Sequence, residues 1–169
     1  MSAPYRRELK AKEYLEKKGV ECFVPMRREL INKPGGAKQR KLVPAIHNLI
    51  FVHSTKELIK ELKQGVDFLQ FHTRPQEGKN VPIIIPDKQM QQFIAITLAG
   101  NDTLTYLSPQ EINISKGTKV RVHGGIFNGT EGIFLKVQGK RSKRVVLLIE
   151  GITAVVLSEI NPGFIEIIE

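Results

Sequence analysis

The sequence predicts an α+β N-terminal domain followed by a small all-β barrel at the C-terminus. Three observations predict it. Amphipathic segments that stop at glycine alternate with short apolar strands through the first part of the chain, up to Thr97. A polar stretch with no clear periodicity, residues 99–115, then interrupts the pattern. After it, residues 120–137 join two alternating strands through a turn crowded with glycine.

The elements follow in order. Residues 6–18 carry Leu9, Ala11 and Leu15 among charged positions and end at Gly19, an amphipathic helix with a glycine stop. Residues 20–24 read as a short strand closed by Pro25. From Met26 to Leu42 the hydrophobic pattern gives way to a basic stretch centred on Lys33-Pro34-Gly35-Gly36, expected as two arms and a tip. Residues 47–53 are expected as a strand, and residues 55–64 as a helix capped by Ser54 or Thr55 and halted by Gly65. Residues 66–72 alternate enough for another strand, and 74–81 are expected as a loop. Pro86-Asp87 then opens a third helix through Met90, Phe93, Ile94 and Thr97.

In the last segment Val120 and Val122 share one face, as do Ile133, Leu135 and Val137. Glycines 124, 125, 129 and 132 are expected to supply backbone angles that other residues resist, with Phe127 at an exposed tip. Residues 145–149, 154–157 and 164–168 supply the remaining strands. The expected domains are therefore residues 1–98 and 116–169, with 99–115 as the linker.

Composition narrows the function. No apolar run in the 169 residues approaches the ~20 a membrane helix needs, and residues 1–10 lack the apolar core of a secretion signal. A soluble, cytoplasmic protein is expected. The single Cys22 sits in an apolar, strand-like context and is read as core. Histidines 47, 53, 72 and 123 form no metal-ligand spacing, and no phosphate loop or Ser-His or Cys-His arrangement is readable. The expectation is a binding protein, not an enzyme, with no metal and no cofactor. Net charge is +9 and uneven: residues 1–44 hold twelve Lys and Arg against five Glu, residues 45–98 six against five acids. A second cluster comprises Lys136, Lys140, Arg141, Lys143 and Arg144. Such patches point to a polyanionic partner.

The order V-x-V-x-x-G-x-F-x-G-x-x-G followed by an apolar alternating strand resembles a KOW motif, found in NusG-family transcription elongation factors and in several ribosomal proteins. The first domain resembles the same family piece by piece. Residues 6–11 and 21–25 look like its first helix and following strand, 44–52 like its proline-led strand, and 81–93 like the approach to its last helix. The resemblance implies an N-terminal domain of the NusG type, an antiparallel sheet flanked by helices, and a KOW (SH3-like) barrel. It also implies an opening strand with Trp just before Ser2–Arg7. This chain has no Trp and its first strand is missing, which leaves a sheet edge unpaired and suggests an internal methionine at position 1. His47-Asn48 stands where housekeeping members have Pro-Gly, which is nearer to specialised paralogues of the RfaH and UpxY type, antiterminators on long operons including those for capsular polysaccharide.

Function follows from the resemblance as transcription elongation or antitermination, with suppression of pausing. It implies docking on the clamp helices of the largest RNA polymerase subunit through Leu49 and Phe51, whose side chains share a strand face. From their type and flexibility, Arg27, Arg28, Lys33, Lys38, Arg40 and Lys41 are candidates to reach upstream duplex or non-template DNA, with no aromatic platform for stacking. Ile126 and Phe127 match the KOW position that contacts a NusE-type ribosomal protein or Rho. The alternative for Phe127 is a plug folded over the barrel end. The alternatives for the whole chain are a housekeeping NusG and a ribosome-associated KOW RNA-binding protein.

Overall fold

The computed structural model describes residues 1–32, 34, 36, 38–100, 103–108, 111, 117–137, 141–149, 151–158 and 160–168. The chain divides into two compact units, Met1–Ile83 and Ile84–Glu169.

In the first unit, helix α1 (Glu8–Lys17) turns Ala11 and Leu15 inward, one helical turn apart, and stops at Gly19, whose φ of 71° suits the left-handed end of a helix. Strand β1 (Glu21–Phe23) pairs antiparallel with β4 (Phe51–His53), matching Cys22 with Val52. Between them the chain runs out and back as β2 (Met26–Asn32) and β3 (Lys38–Pro44). Helix α2 (Lys56–Gln64) begins at Thr55, whose side chain accepts a hydrogen bond from the Leu58 N–H at 3.3 Å. The core joins Ala3, Ala11, Leu15, Val20, Ile50 and Phe68, with Cys22 partly buried against it. Tyr14 meets Phe68 edge-on at 6.1 Å.

Three expectations are corrected in this unit. The sheet edge expected to stay unpaired is bonded over the first residues: Ser2 bridges Leu49 on one side and Gln70 on the other, and Ile50 N–H donates to the Met1 carbonyl at 3.0 Å. Residues 66–72 do not form a strand beyond the Gln70 bridge, because Phe68 and Leu69 are buried in succession instead of alternating. The expected loop at 74–81 is a hairpin of β5 (Thr73–Gln76) and β6 (Lys79–Pro82). Its turn residues Glu77 and Gly78 have φ of 50° and 74°, the twist a two-residue hairpin connection needs.

The second unit is a six-stranded antiparallel sheet with helix α3 (Asp87–Ala99). Its strands are β7 (Thr105–Leu107), β8 (Thr118–Val122), β9 (Glu131–Lys136), β10 (Lys143–Ile149), β11 (Thr153–Val156) and β12 (Ile165–Ile167). They lie in the order β12-β8-β9-β10-β11-β7. By contacts α3 groups with this sheet, ahead of the boundary expected after residue 98, and β7 falls within the stretch expected as linker. The Gln89 and Gln92 side-chain amides donate to the carbonyls of Leu148, at 2.7 Å, and Glu131, at 3.4 Å. Leu135, Val137, Val146, Ala154 and Val156 form one core cluster, and Val145, Leu147 and Val155 are also buried, so β10 and β11 are covered on both faces.

Glycines 124, 125 and 129 have the positive φ expected of them, at 83°, 66° and 79°. Gly132 is present for a different reason. A Cβ there would lie 2.8 Å from the Val146 carbonyl oxygen and 2.9 Å from a Val145 methyl, so neighbouring β10 leaves no room for a side chain. Across the same strands Arg121 stands between two acids: its guanidinium reaches Glu131 at 2.9 Å and Glu166 at 3.7 Å. The hydrogen bond from Arg121, followed by the charge of Lys88, holds the Glu131 carboxyl below its ordinary range.

Two outcomes follow. Gly132→Ala should destabilise the protein by about 1–3 kcal/mol, read from urea unfolding, since β10 must shift to admit the methyl. Glu131 is lowered in the folded state, so its contribution is present above the usual carboxylate pKa and disappears as pH falls through the folded value. Glu131→Gln should therefore lower the urea midpoint at about pH 7 and narrow its difference from wild type at about pH 3. The pair is exposed, so the neutral-pH effect should stay within about 1 kcal/mol.

Candidate nucleic-acid and protein interfaces

The basic arm is an ordered antiparallel ribbon. Strands β2 and β3 pair with each other and with no further strand among the described residues. The base of the ribbon is fixed: Ala45 N–H donates to the Pro25 carbonyl at 2.7 Å, and Met26 packs against the core of the first unit. Directly opposed residues of an antiparallel pair share a face. Arg28 lies opposite Leu42, Leu30 opposite Arg40, and Asn32 opposite Lys38 on one face. The other face pairs Arg27 with Val43, Glu29 with Lys41 and Ile31 with Gln39.

These faces differ in charge. The first holds three cations, Arg28, Lys38 and Arg40, and no carboxylate. On the second, Glu29 lies opposite Lys41 and within 3.6 Å of Arg27, so part of its positive charge is internally paired. Five of the six predicted cations are thus brought onto one ribbon, divided between its faces; Lys33 lies outside the described residues. Leu30 and Leu42, 61 % and 51 % exposed, stand among the cations of the first face and were missed in the sequence. The signal for them was Arg28-x-Leu30-x-Asn32 set against Lys38-x-Arg40-x-Leu42 across the Pro34 turn, an alternation of period two hidden under the charge.

The second predicted pair, Leu49 and Phe51, is buried, at 3 % and 5 % exposure. Their neighbour Ile50 points the opposite way, into the core with Ala11 and Leu15. Both faces of this strand are therefore covered, where the sequence allowed either one to be open.

Just before it the backbone at Asn48 is left-handed, with φ of 62°. Asn is the residue after glycine that tolerates this conformation best. Its Oδ1 accepts from the Arg6 N–H at 2.8 Å, and its own N–H donates to the buried Glu8 carboxylate at 3.3 Å. Asn48 thus holds a left-handed conformation that glycine also tolerates, with a side-chain tie to the start of α1.

The third pair separates. Gly125–Phe127 is a 3-10 turn closed by Asn128, whose Oδ1 accepts from the Gly124 N–H at 2.6 Å. Phe127 is buried at 5 % exposure, so the expected exposed aromatic tip is corrected to a side chain folded inward, next to α3. Ile126 is the exposed member, at 63 %. In the basic cluster of the second unit, Lys143 lies over the Phe134 ring at 5.8 Å, and Lys140 is outside the described residues. Among the described residues no three His, Cys, Asp or Glu converge as a metal site, and no helix is long and apolar enough to cross a membrane.

A family model described as transcription termination factor nusG matches residues 1–94, more than half of the chain. No match was found among curated proteins.

The geometry at position 48 makes a direct test. Asn48→Ala should cost about 1–2 kcal/mol in urea unfolding, through left-handed strain and the lost bond to Arg6. Asn48→Gly, which removes the bond and relieves the strain, should cost less.

Proposed function

Because the chain belongs to the NusG family of non-enzymatic transcription factors, we propose that it is an elongation and antitermination factor that binds RNA polymerase through its first unit and suppresses pausing. The observation that carries this reading is the family match over residues 1–94, which spans α1, the ribbon and β4. In this reading the clamp helices of the largest polymerase subunit receive the β4 region. Leu49 and Phe51 are buried, so their part in docking requires their face of the strand to be uncovered when polymerase binds. The ribbon cations reach DNA beside the polymerase. Ile126, exposed at the glycine turn, is the contact for a NusE-type ribosomal protein or Rho, with Phe127 fixing the turn from beneath.

Pausing falls in such a complex by population shift. A factor that binds the closed polymerase clamp better than the open one favours closure by its differential affinity alone. No covalent chemistry is needed, and the work belongs in the cytoplasm beside the genome. The specialised form of the reading, action on polysaccharide-biosynthesis operons, rests on His47-Asn48. Asn48 adopts the conformation a glycine would, so this dipeptide supports the specialised and housekeeping forms alike.

The test is co-elution of the purified chain with RNA polymerase, followed by a single-round pausing assay. A stoichiometric complex and shortened pauses are expected. A folded chain that neither co-elutes nor alters pausing would overturn the proposal, a result that does not depend on substituting buried residues.

A further inference from the structure

We infer that the β2–β3 ribbon enters the major groove of duplex DNA and reads base edges with the face that carries Arg28, Leu30, Asn32, Lys38, Arg40 and Leu42. The inference rests on the reading of this ribbon as the nucleic-acid arm, and goes beyond it by assigning a groove, a face and a direct base readout.

Shape is the first argument. The major groove of B-form DNA is about 12 Å wide and admits a two-stranded β-ribbon, whereas the minor groove, about 6 Å wide, does not. A ribbon can enter only if no third strand widens it and the side chains on both of its faces are exposed. Strands β2 and β3 have no third partner among the described residues, and the residues from Arg27 to Leu30 and from Lys38 to Leu42 are exposed on both faces. Docking on a flat acidic protein surface would need only one open face. At about 3.4 Å per residue the seven paired positions extend roughly 20 Å, comparable to about six base-pair steps.

Chemistry selects the face. Base edges in the major groove are read by bidentate Arg on guanine, by Asn or Gln on adenine, and by apolar side chains on the thymine methyl. One face of the ribbon offers all three: Arg28 and Arg40, Asn32, and the exposed Leu30 and Leu42. The two arginines occupy diagonal positions of the ladder, about 7–8 Å apart at the backbone, close to two base-pair steps. Lys38 adds a charge suited to phosphate, and no carboxylate on the face repels the backbone. The opposite face carries Glu29 near Arg27 and across from Lys41, a poorer partner for a polyanion. Neither strand holds an aromatic residue, so stacking on unpaired bases, the main device of single-strand binders, has no platform here.

The experiment selects short duplexes from a randomised pool with the full chain, then measures affinity by fluorescence anisotropy for the selected duplex, its scrambled version and its single strands. Expected results are preference for the selected duplex, displacement of the chain by the major-groove ligand methyl green, and no displacement by the minor-groove ligand netropsin. Arg28→Ala and Arg40→Ala should each weaken binding to the selected duplex by about tenfold or more and relax the preference at one position. Gln39→Ala, on the other face, should leave affinity unchanged. Equal binding to duplex and single strands, no selected sequence, or displacement by netropsin would overturn groove readout. Failure to bind any nucleic acid, with capture by an acidic protein surface only, would overturn the nucleic-acid arm as well. Polymerase co-elution, measured in parallel, separates these failures from failure of the family-based function.

Discussion

The first unit depends on the backbone pairing around Ile50. The Ile50 side chain lies in the core with Ala11, Leu15 and Phe68, and its N–H donates to the Met1 carbonyl. The same strand continues into β4 and pairs with β1, and β1 leads through Val24 and Pro25 directly into the ribbon. Helix packing, sheet pairing and the anchorage of the exposed arm therefore meet at one short segment. A buried backbone that left any of these groups unpaired would cost as much as a lost hydrogen bond at each.

That anchorage matters for recognition. A basic arm that was irregular would lose conformational entropy on meeting DNA, whereas a ribbon with seven paired positions has its side chains already assigned to two faces. Pairing also decides which charges act together. Arg27 and Arg28 are neighbours in sequence yet lie on opposite faces, and Arg28 shares its face with Arg40 across the ladder. The second unit shows the same principle at Arg121, which registers with Glu131 on one side and Glu166 on the other and is balanced by both.

Local chemistry made much of this legible in advance. Ala11 and Leu15 at helical spacing before Gly19, the Thr55 cap, Pro86-Asp87 at the head of α3, and the alternating apolar residues of β8 and β9 each state their structure within a few residues. The stretch at 66–72 misled because two consecutive core residues imitate a strand. The β5–β6 hairpin was hidden because Arg, Pro, Gln and Lys occupy strands that bury little.

By itself, the sequence determined the two kinds of structure in the chain, its concentration of cations before Leu42, and its likeness to the NusG family, since these are written in composition, period and short motifs. Only the tertiary structure decided that Leu49, Phe51 and Phe127 are buried, that α3 groups with the C-terminal sheet, that Gly132 answers to space and not to backbone angle, and that the basic arm has two unlike faces. The physical reason is common to all four. A period identifies which residues share a face, but what covers that face, or lies across the ladder from it, is set by residues distant in the chain.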